Sequence, residues 1–405
     1  MQANHQYDVI VIGAGPAGIL AGGRASMLGV RVAILEKMEK PARKLRITGK
    51  GRCNITNEKP FDEFIQNITP NPRFLNTAFG VFFTKQIIDL LEENGLKTVT
   101  ERGQRVFPAS GKAWDVAETL VKWAKKQGVT FYNHTPVKEL LVEGGTSRGV
   151  ILENNQKIQA RAIIVATGGK SYPATGSTGD GYKFAMQVGH TITALRPSLA
   201  GIETHPTFPA LDGLNLRNVK TSILTDNQKV AEEFGEVEFT DYGLDGPCIL
   251  RLSLQAVDLF TDGKKVSVSI DLKPALDPDK LQARISRGCA SNENYTVAML
   301  LRNLLPSQLV TVFLRQLRLN SRKKASEMTD SEREKVIALL KNFTLQMTGY
   351  RGWDEAIVTA GGIALSEVNR KTMESKLIDG LYCAGEILNL SGNTGGYNLQ
   401  IAFST

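Results

Sequence analysis

Three glycines and one carboxylate near the start of the chain have the types and spacing to do chemistry. Gly13, Gly15 and Gly18 form the run "GAGPAG" directly after the apolar, β-branched stretch "YDVIVI" at 7–12. Glu36 closes a second apolar stretch, "RVAILE". A G-x-G-x-x-G run alone is a weak signal. Set between a strand and a helix, with an acidic residue ending the next strand, it becomes specific. The first glycine makes the tight turn, the second lets backbone approach a pyrophosphate, and the third lets the helix pack on the strand. The helix N-terminus, carrying Pro16 and Ala17, then turns its partial positive charge to the phosphates. Glu36 is suited to the paired hydroxyls of a ribose. The chemistry implied is binding of a dinucleotide, either FAD or a nicotinamide.

Three later strand ends favour FAD. "AIIVATGG" at 162–169 is an apolar run ending on Ala166, Thr167 and Gly168. "GLYCAGE" at 380–386 ends on Gly385 and Glu386, where a carboxylate can meet a ribityl chain. "SGNTGGYNLQIAFST" at 391–405 is a glycine loop entering a helix. It sets Gly396, Tyr397, Asn398, Leu399 and Gln400 where N–H donors suit a flavin pyrimidine. No second G-x-G-x-x-G run marks a separate nicotinamide domain.

The stretch "RITGKGRCNITN" at 46–57 gathers two glycines, cations and a cysteine. Its spacing is not that of a P-loop. Cys53 has no neighbouring cysteine to act as a resolving thiol, and the four cysteines show no CxxC, so a disulfide framework, a zinc site and a dithiol centre are not expected. The histidines at 5, 134, 190 and 205 lack metal-ligand spacing and read as surface or loop residues. No metal is expected.

The elements that must position these residues follow from periodicity. The chain has 405 residues, 42% hydrophobic and 22% charged, as a soluble protein of two or three domains does. No apolar run is long enough to span a membrane and no secretory signal is read, so the cytoplasm is the expected compartment. The net charge of +8 reads as Lys and Arg spread over a large surface, the only dense cluster being "RKK" at 322–324. An α/β pattern fills 1–194. Alternating, strand-like segments such as "KVSVSIDL" fill 195–277, and helical period fills 278–346 with Pro306 expected to split it. Short strands and glycine loops return at 347–405, with room at the start for a last strand of the β-rich part. Thr84, Asp115 and Asp180 are candidate helix caps. The fold class expected is α/β: a discontinuous Rossmann domain of the two-dinucleotide type, with β-rich and helical insertions.

The ordered series "GAGPAG", "GKGRCNITN", "VFPASGKAWDV", "ATGGKSYPATGSTGDGY", "FTDYGLDGPCILRLS", "VTAGGI", "KTMESK" and "GLYCAGEILNLSGNTGGYNLQIAF" resembles the BaiN/RdsA-like flavoproteins, the aminoacetone oxidase family of FAD-binding enzymes, over essentially the whole chain. The resemblance implies a non-covalent FAD, an inserted β-barrel-like domain and a small helical domain. It implies FAD contacts from Lys37, Lys44, Thr48, Gly49, Gly51, Arg52, Asn54, Val137 and Gly362, with Arg52 beside the flavin. The chain departs from the family at Asp241 and Asp245 in "FTDYGLDGP", where "FTHxGLSGP" is usual, and at Asn389, where Asp is usual. The family also continues into a C-terminal helix past the position of Thr405.

The function expected is hydride transfer between FAD and a small organic substrate, an amine or a conjugated carbonyl, with NAD(P)H as a transient donor or oxygen as acceptor. An RNA-acting flavoprotein and a redox sensor without turnover are the alternatives. Catalytic residues, substrate and oligomeric state stay open. A small molecule is the expected partner, with neither nucleic acid nor membrane.

Overall fold

The computed structural model describes residues 6–290 and 294–405; His5 lies outside them. The chain divides into two compact units, Met1–Ser198 with Trp353–Thr405, and Leu199–Gly352.

The first unit is built on a parallel sheet in the order Thr130–Tyr132, Val32–Leu35, Tyr7–Ile12, Lys157–Val165, Leu381–Cys383. Its strands read as continuous apolar runs because both faces are covered. Ile10, Ile12, Ala33 and Leu35 enter one core, while Val11, Val32 and Ile34 enter another. The start of Lys157–Val165 also pairs antiparallel with Thr146–Leu152, which pairs in turn with Val137–Glu143. Helix Pro16–Met27 follows the first strand and ends where Gly29 adopts φ +85°. Glycines let it approach its neighbours closely. A Cβ on Gly22 would lie 2.9 Å from Ile34 Cδ1, and one on Gly23 would lie 2.2 Å from the Trp123 ring of helix Ala113–Lys126.

The second unit holds a closed antiparallel barrel, Ile202–His205, Gly243–Asp245, Gln228–Phe239, Asn215–Thr225, Val266–Asp271 and Phe343–Tyr350 in ring order. Helix Pro247–Thr261 buries Cys248, Ile249, Leu252 and Ala256 in the same core. Pro278–Ala290, Val297–Arg302, Ser307–Leu317 and Asp330–Lys341 form the helical part, and Pro306 separates the second from the third. Barrel and helices share one hydrophobic core, in which the Phe313 and Phe343 rings stack 6.0 Å apart.

Two of the three edges drawn from periodicity fall inside strands, while the one at 277 meets the start of helix Pro278–Ala290. The edge at 194 cuts Ile192–Ser198, which pairs with Val358–Ile363 in the first unit. The edge at 346 cuts the barrel strand Phe343–Tyr350, whose alternating "FTLQMTGY" follows directly on a helix. Candidate caps shift by one to three residues. Phe83, Lys112 and Gly179 hold the N-cap positions, so Thr84, Asp115 and Asp180 lie in the first turns. His190 is not a surface residue. It is buried, with Nδ1 3.0 Å from Glu367 Oε2 and Nε2 2.8 Å from Ser375 Oγ. No helix of the described residues is long and apolar enough to cross a membrane.

Candidate functional site

Every residue singled out above as a cofactor contact lies in the first unit, drawn from both of its chain segments. The glycine turn is shaped by two close approaches and one open side. Gly13 has φ +101°, and a Cβ there would lie 2.6 Å from the Ala166 carbonyl oxygen. A Cβ on Gly18 would lie 2.0 Å from the Gly13 carbonyl oxygen. Gly15 is the N-cap of helix Pro16–Met27, carries no side-chain cap, and has no atom within 4 Å of where a Cβ would stand. Pro16 and Ala17 follow it in the first turn. An uncapped helix N-terminus facing open space fits a pyrophosphate.

Glu36 stands beside this turn. Its Oε2 accepts the Ala14 N–H and its Oε1 accepts the Met38 N–H, each at 2.9 Å. Both oxygens keep acceptor capacity, as binding two ribose hydroxyls requires. Its neighbour Lys37 takes a different role. Lys37 Nζ donates to Asp180 Oδ2 at 2.6 Å and to Thr178 Oγ1, tying the second strand to helix Asp180–Gln187.

A second cluster forms around Glu386. Its carboxylate accepts from Lys44 Nζ at 3.0 Å, from Ser171 Oγ at 3.1 Å and from the Thr359 N–H at 2.8 Å; Lys44 also donates to Ser171 at 2.6 Å. The ion pair is mostly buried, with about a fifth of each side chain exposed. Ser171 and Thr359 were missed in the sequence, although both stand inside quoted motifs, "ATGGKSYP" and "VTAGGI". Nothing in their spacing reveals that two distant segments meet at one carboxylate. Gly168, at φ +73°, lies next to this cluster: a Cβ there would be 3.1 Å from Ser177 Oγ and 3.9 Å from Glu386 Oε2. Thr167 packs on Gly181, and the Ala166 N–H donates to the Ile12 carbonyl at 2.9 Å. Gly385, at φ +78°, abuts Ala17, while Gly362 abuts the Ile387 carbonyl. Val137 pairs with Leu152 at the strand edge.

The stretch at 46–57 is shaped by its backbone. Gly49, Lys50, Gly51 and Cys53 all have positive φ, between 54° and 84°. Thr48 closes helix Arg43–Ile47, its hydroxyl donating to the Leu45 carbonyl at 2.8 Å and its carbonyl accepting the Cys53 N–H at 3.0 Å. Cys53 is fully buried, and burial pushes its thiol up to about 12. A group so held stays protonated and is no nucleophile. Arg52 is half-exposed, paired with Glu101 and set over the Phe107 ring at 4.4 Å. The Asn54 amide, with its oxygen assigned toward the Gly396 N–H at 3.2 Å, joins this stretch to the C-terminal loop.

In that loop the side chains are occupied by the protein itself. Asn398 exchanges two hydrogen bonds of 2.7 Å with Gly392. Gln400 is buried, accepting from Thr56 Oγ1 at 2.6 Å and donating to Ser404 Oγ at 2.9 Å. Tyr397 packs edge-on against Phe64 at 4.7 Å, and Leu399 is half-buried beside the other core. Gly396, at φ +95°, is the uncapped start of helix Tyr397–Ser404 and lies against the Thr56 backbone.

The sequence family described as the HI0933-like protein Rossmann domain matches residues 7–405. The chain is 31% identical over 400 residues to the 3-dehydro-bile acid delta(4,6)-reductase of Clostridium scindens, covering 98% of this chain and 96% of the relative. It is 30% identical over 402 residues to the ribosomal RNA dihydrouridine synthase of Escherichia coli, covering 99% and 96%. It is 28% identical over 408 residues to the Haemophilus influenzae protein of the same name, covering 99% and 97%. With a match that begins at the first strand and takes in both units, the chain belongs to the HI0933-like Rossmann family of FAD-dependent oxidoreductases.

Proposed function

We propose that the protein binds FAD non-covalently and acts as a reductase. It would saturate a carbon–carbon double bond conjugated to a carbonyl, with NAD(P)H as donor. The observation that supports this reading is that relatives named for two unlike substrates, each matched over nearly its full length, share one reaction type. A delta(4,6) 3-oxo steroid and a uridine both carry an alkene conjugated to a carbonyl. Both named products gain two hydrogens across a double bond. The balance is one alkene, one NAD(P)H and one proton giving one saturated product and one NAD(P)+.

Bound FAD supplies the hydride chemistry, and the protein supplies its binding and electrostatics. Glu36 would hold the ribose and the N-terminus of helix Pro16–Met27 the pyrophosphate. Glu386, paired with Lys44, would face the ribityl hydroxyls. The N-terminus of helix Tyr397–Ser404 would offer N–H donors to the flavin ring. Lys44, held against Glu386, and Arg52, held against Glu101, are the cations this arrangement would offer near the cofactor.

The test is anaerobic stopped-flow mixing of the holoprotein with NADH or NADPH, followed by a 3-oxo-Δ4 steroid or a uridine-containing RNA. Bleaching by the nicotinamide and recovery of the oxidised spectrum on adding the alkene are expected. Bleaching by a small amine instead, with recovery only on admitting oxygen, would overturn the reading in favour of an amine oxidase.

A further inference from the structure

The positive charge of this chain is concentrated in one segment. Residues 278–341 carry twelve Lys and Arg against six Asp and Glu, a net +6 out of +8 for all 405 residues. Ion pairs use only some of these cations: Lys280 with Asp277, Lys323 with Glu332, Arg333 with Asp330, and Lys341 with Asp271. Arg284, Arg287, Arg302, Arg322 and Lys324 are exposed and have no carboxylate partner among the described residues.

The fold brings the segments that carry these five to Tyr295 and its neighbours. Tyr295 donates its hydroxyl proton to the Met299 carbonyl at 3.2 Å and accepts from the Asn303 amide. The Asn303 carbonyl accepts from the Arg284 guanidinium at 3.4 Å, so Arg284 reaches the end of helix Val297–Arg302. Helix Pro278–Ala290 touches Tyr295 at Gly288, next to Arg287. On the other side, the Tyr295 carbonyl accepts the Ala325 N–H at 2.7 Å, and Thr296 bridges Lys324. The Ala298 N–H donates to the Ser321 carbonyl at 3.3 Å, which brings Arg322 alongside.

We propose that this face docks structured RNA through its phosphate backbone. Four of the five cations are arginines, whose planar forks match phosphate oxygens two at a time. Unpaired cations held on a folded framework can release counterions on meeting a polyanion, which is the main source of such affinity. An anionic membrane fits less well. Met299 is the one large apolar side chain exposed in this segment among the described residues, and surface-seated helices need an apolar face. The docking stands on charge and geometry. Its consequence, that the alkene reduced is a uracil within RNA, rests on the reductase reading above.

The experiment is fluorescence anisotropy of a labelled ribosomal RNA hairpin titrated with the full-chain holoprotein at several salt concentrations. The parent is compared with the double variants R302E/K324E and R302Q/K324Q, with circular dichroism melting to verify folding. The charge reversal should weaken binding by more than about tenfold at low salt. Either variant should flatten the log–log salt slope by roughly 1.4–1.8, as two lost phosphate contacts require. Equal affinity and slope in all three folded proteins would overturn the proposal. So would variants that lose binding to phosphatidylglycerol vesicles while keeping RNA. Flavin reduction by NADPH and turnover of a small 3-oxo-Δ4 steroid, measured on the same samples, separate the two ideas. RNA docking without reductase turnover removes the reaction reading alone, and turnover without RNA docking removes the docking alone.

Discussion

Glu36 accepts one backbone N–H on each carboxylate oxygen, so its position is fixed before any ligand arrives. Replacing it with alanine should leave the sheet intact and weaken FAD. A charge-assisted hydrogen bond to ribose is worth roughly 1.5–3 kcal/mol, about 10- to 150-fold in affinity. Fluorescence titration of apoprotein with FAD measures this, and an unchanged dissociation constant would make Glu36 a turn-shaping residue only. Cys53 provides the opposite case. Its thiol is sealed in the core beside the glycine loop and held protonated well above its ordinary range. A maleimide reagent at mildly alkaline pH should therefore leave Cys53 unlabelled in the native protein and label it in denaturant. Cys53→Ser should retain flavin reduction. Prompt native labelling, with loss of reduction in the serine variant, would restore the redox-thiol reading of "GKGRCN".

At the scale of elements, the glycine turn separates fold from function within six residues. A methyl group at Gly18 would collide with the Gly13 carbonyl oxygen, whereas one at Gly15 meets nothing. Gly18→Ala should thus lower stability by about 1–3 kcal/mol through overpacking. Gly15→Ala should melt like the parent yet retain little FAD, because the methyl fills the space a pyrophosphate would take. Thermal melts with and without added FAD check both, and equal FAD-induced stabilisation of Gly15→Ala and parent would refute the cradle. This turn was legible in the sequence because its signal is local: a strand, three glycines at fixed spacing, a helix and an acidic strand end. The apolar runs of the parallel sheet were legible for the same reason. The Lys44–Glu386–Ser171–Thr359 cluster was not, since its members come from four segments that only tertiary folding brings together. The internal bonds of the Asn398 and Gln400 amides were not legible either, because they depend on Gly392 and Thr56. Arg52 was read from its charge, and its partner Glu101 arrives on a separate hairpin.

Across the whole molecule, periodicity distinguished a β-rich stretch from a helical one but could not reveal that the two share a core. Phe313 of helix Ser307–Leu317 stacks on Phe343 of the barrel, so Phe313→Ala should destabilise strands and helices together. A cost of about 3–5 kcal/mol is usual for emptying such a position. Hydrogen exchange should show lost protection in Phe343–Tyr350 and Val266–Asp271 as well as in the helices. Loss confined to the helices would make them a separate domain after all. The net charge likewise looked evenly spread when only dense runs were sought; summed over 278–341 it does not. The two-segment make-up of the first unit carries a consequence for synthesis. Strand Leu381–Cys383, Glu386 and helix Tyr397–Ser404 leave the ribosome only after the whole of Leu199–Gly352 has been made. The barrel unit can therefore fold during translation, while the parallel sheet waits for its last strand and the cofactor cradle for its last loop. Flavin capture becomes one of the final events in maturation, and a nascent chain interrupted between Gly352 and Gly385 would lack the strand end and the C-terminal loop that complete the cradle.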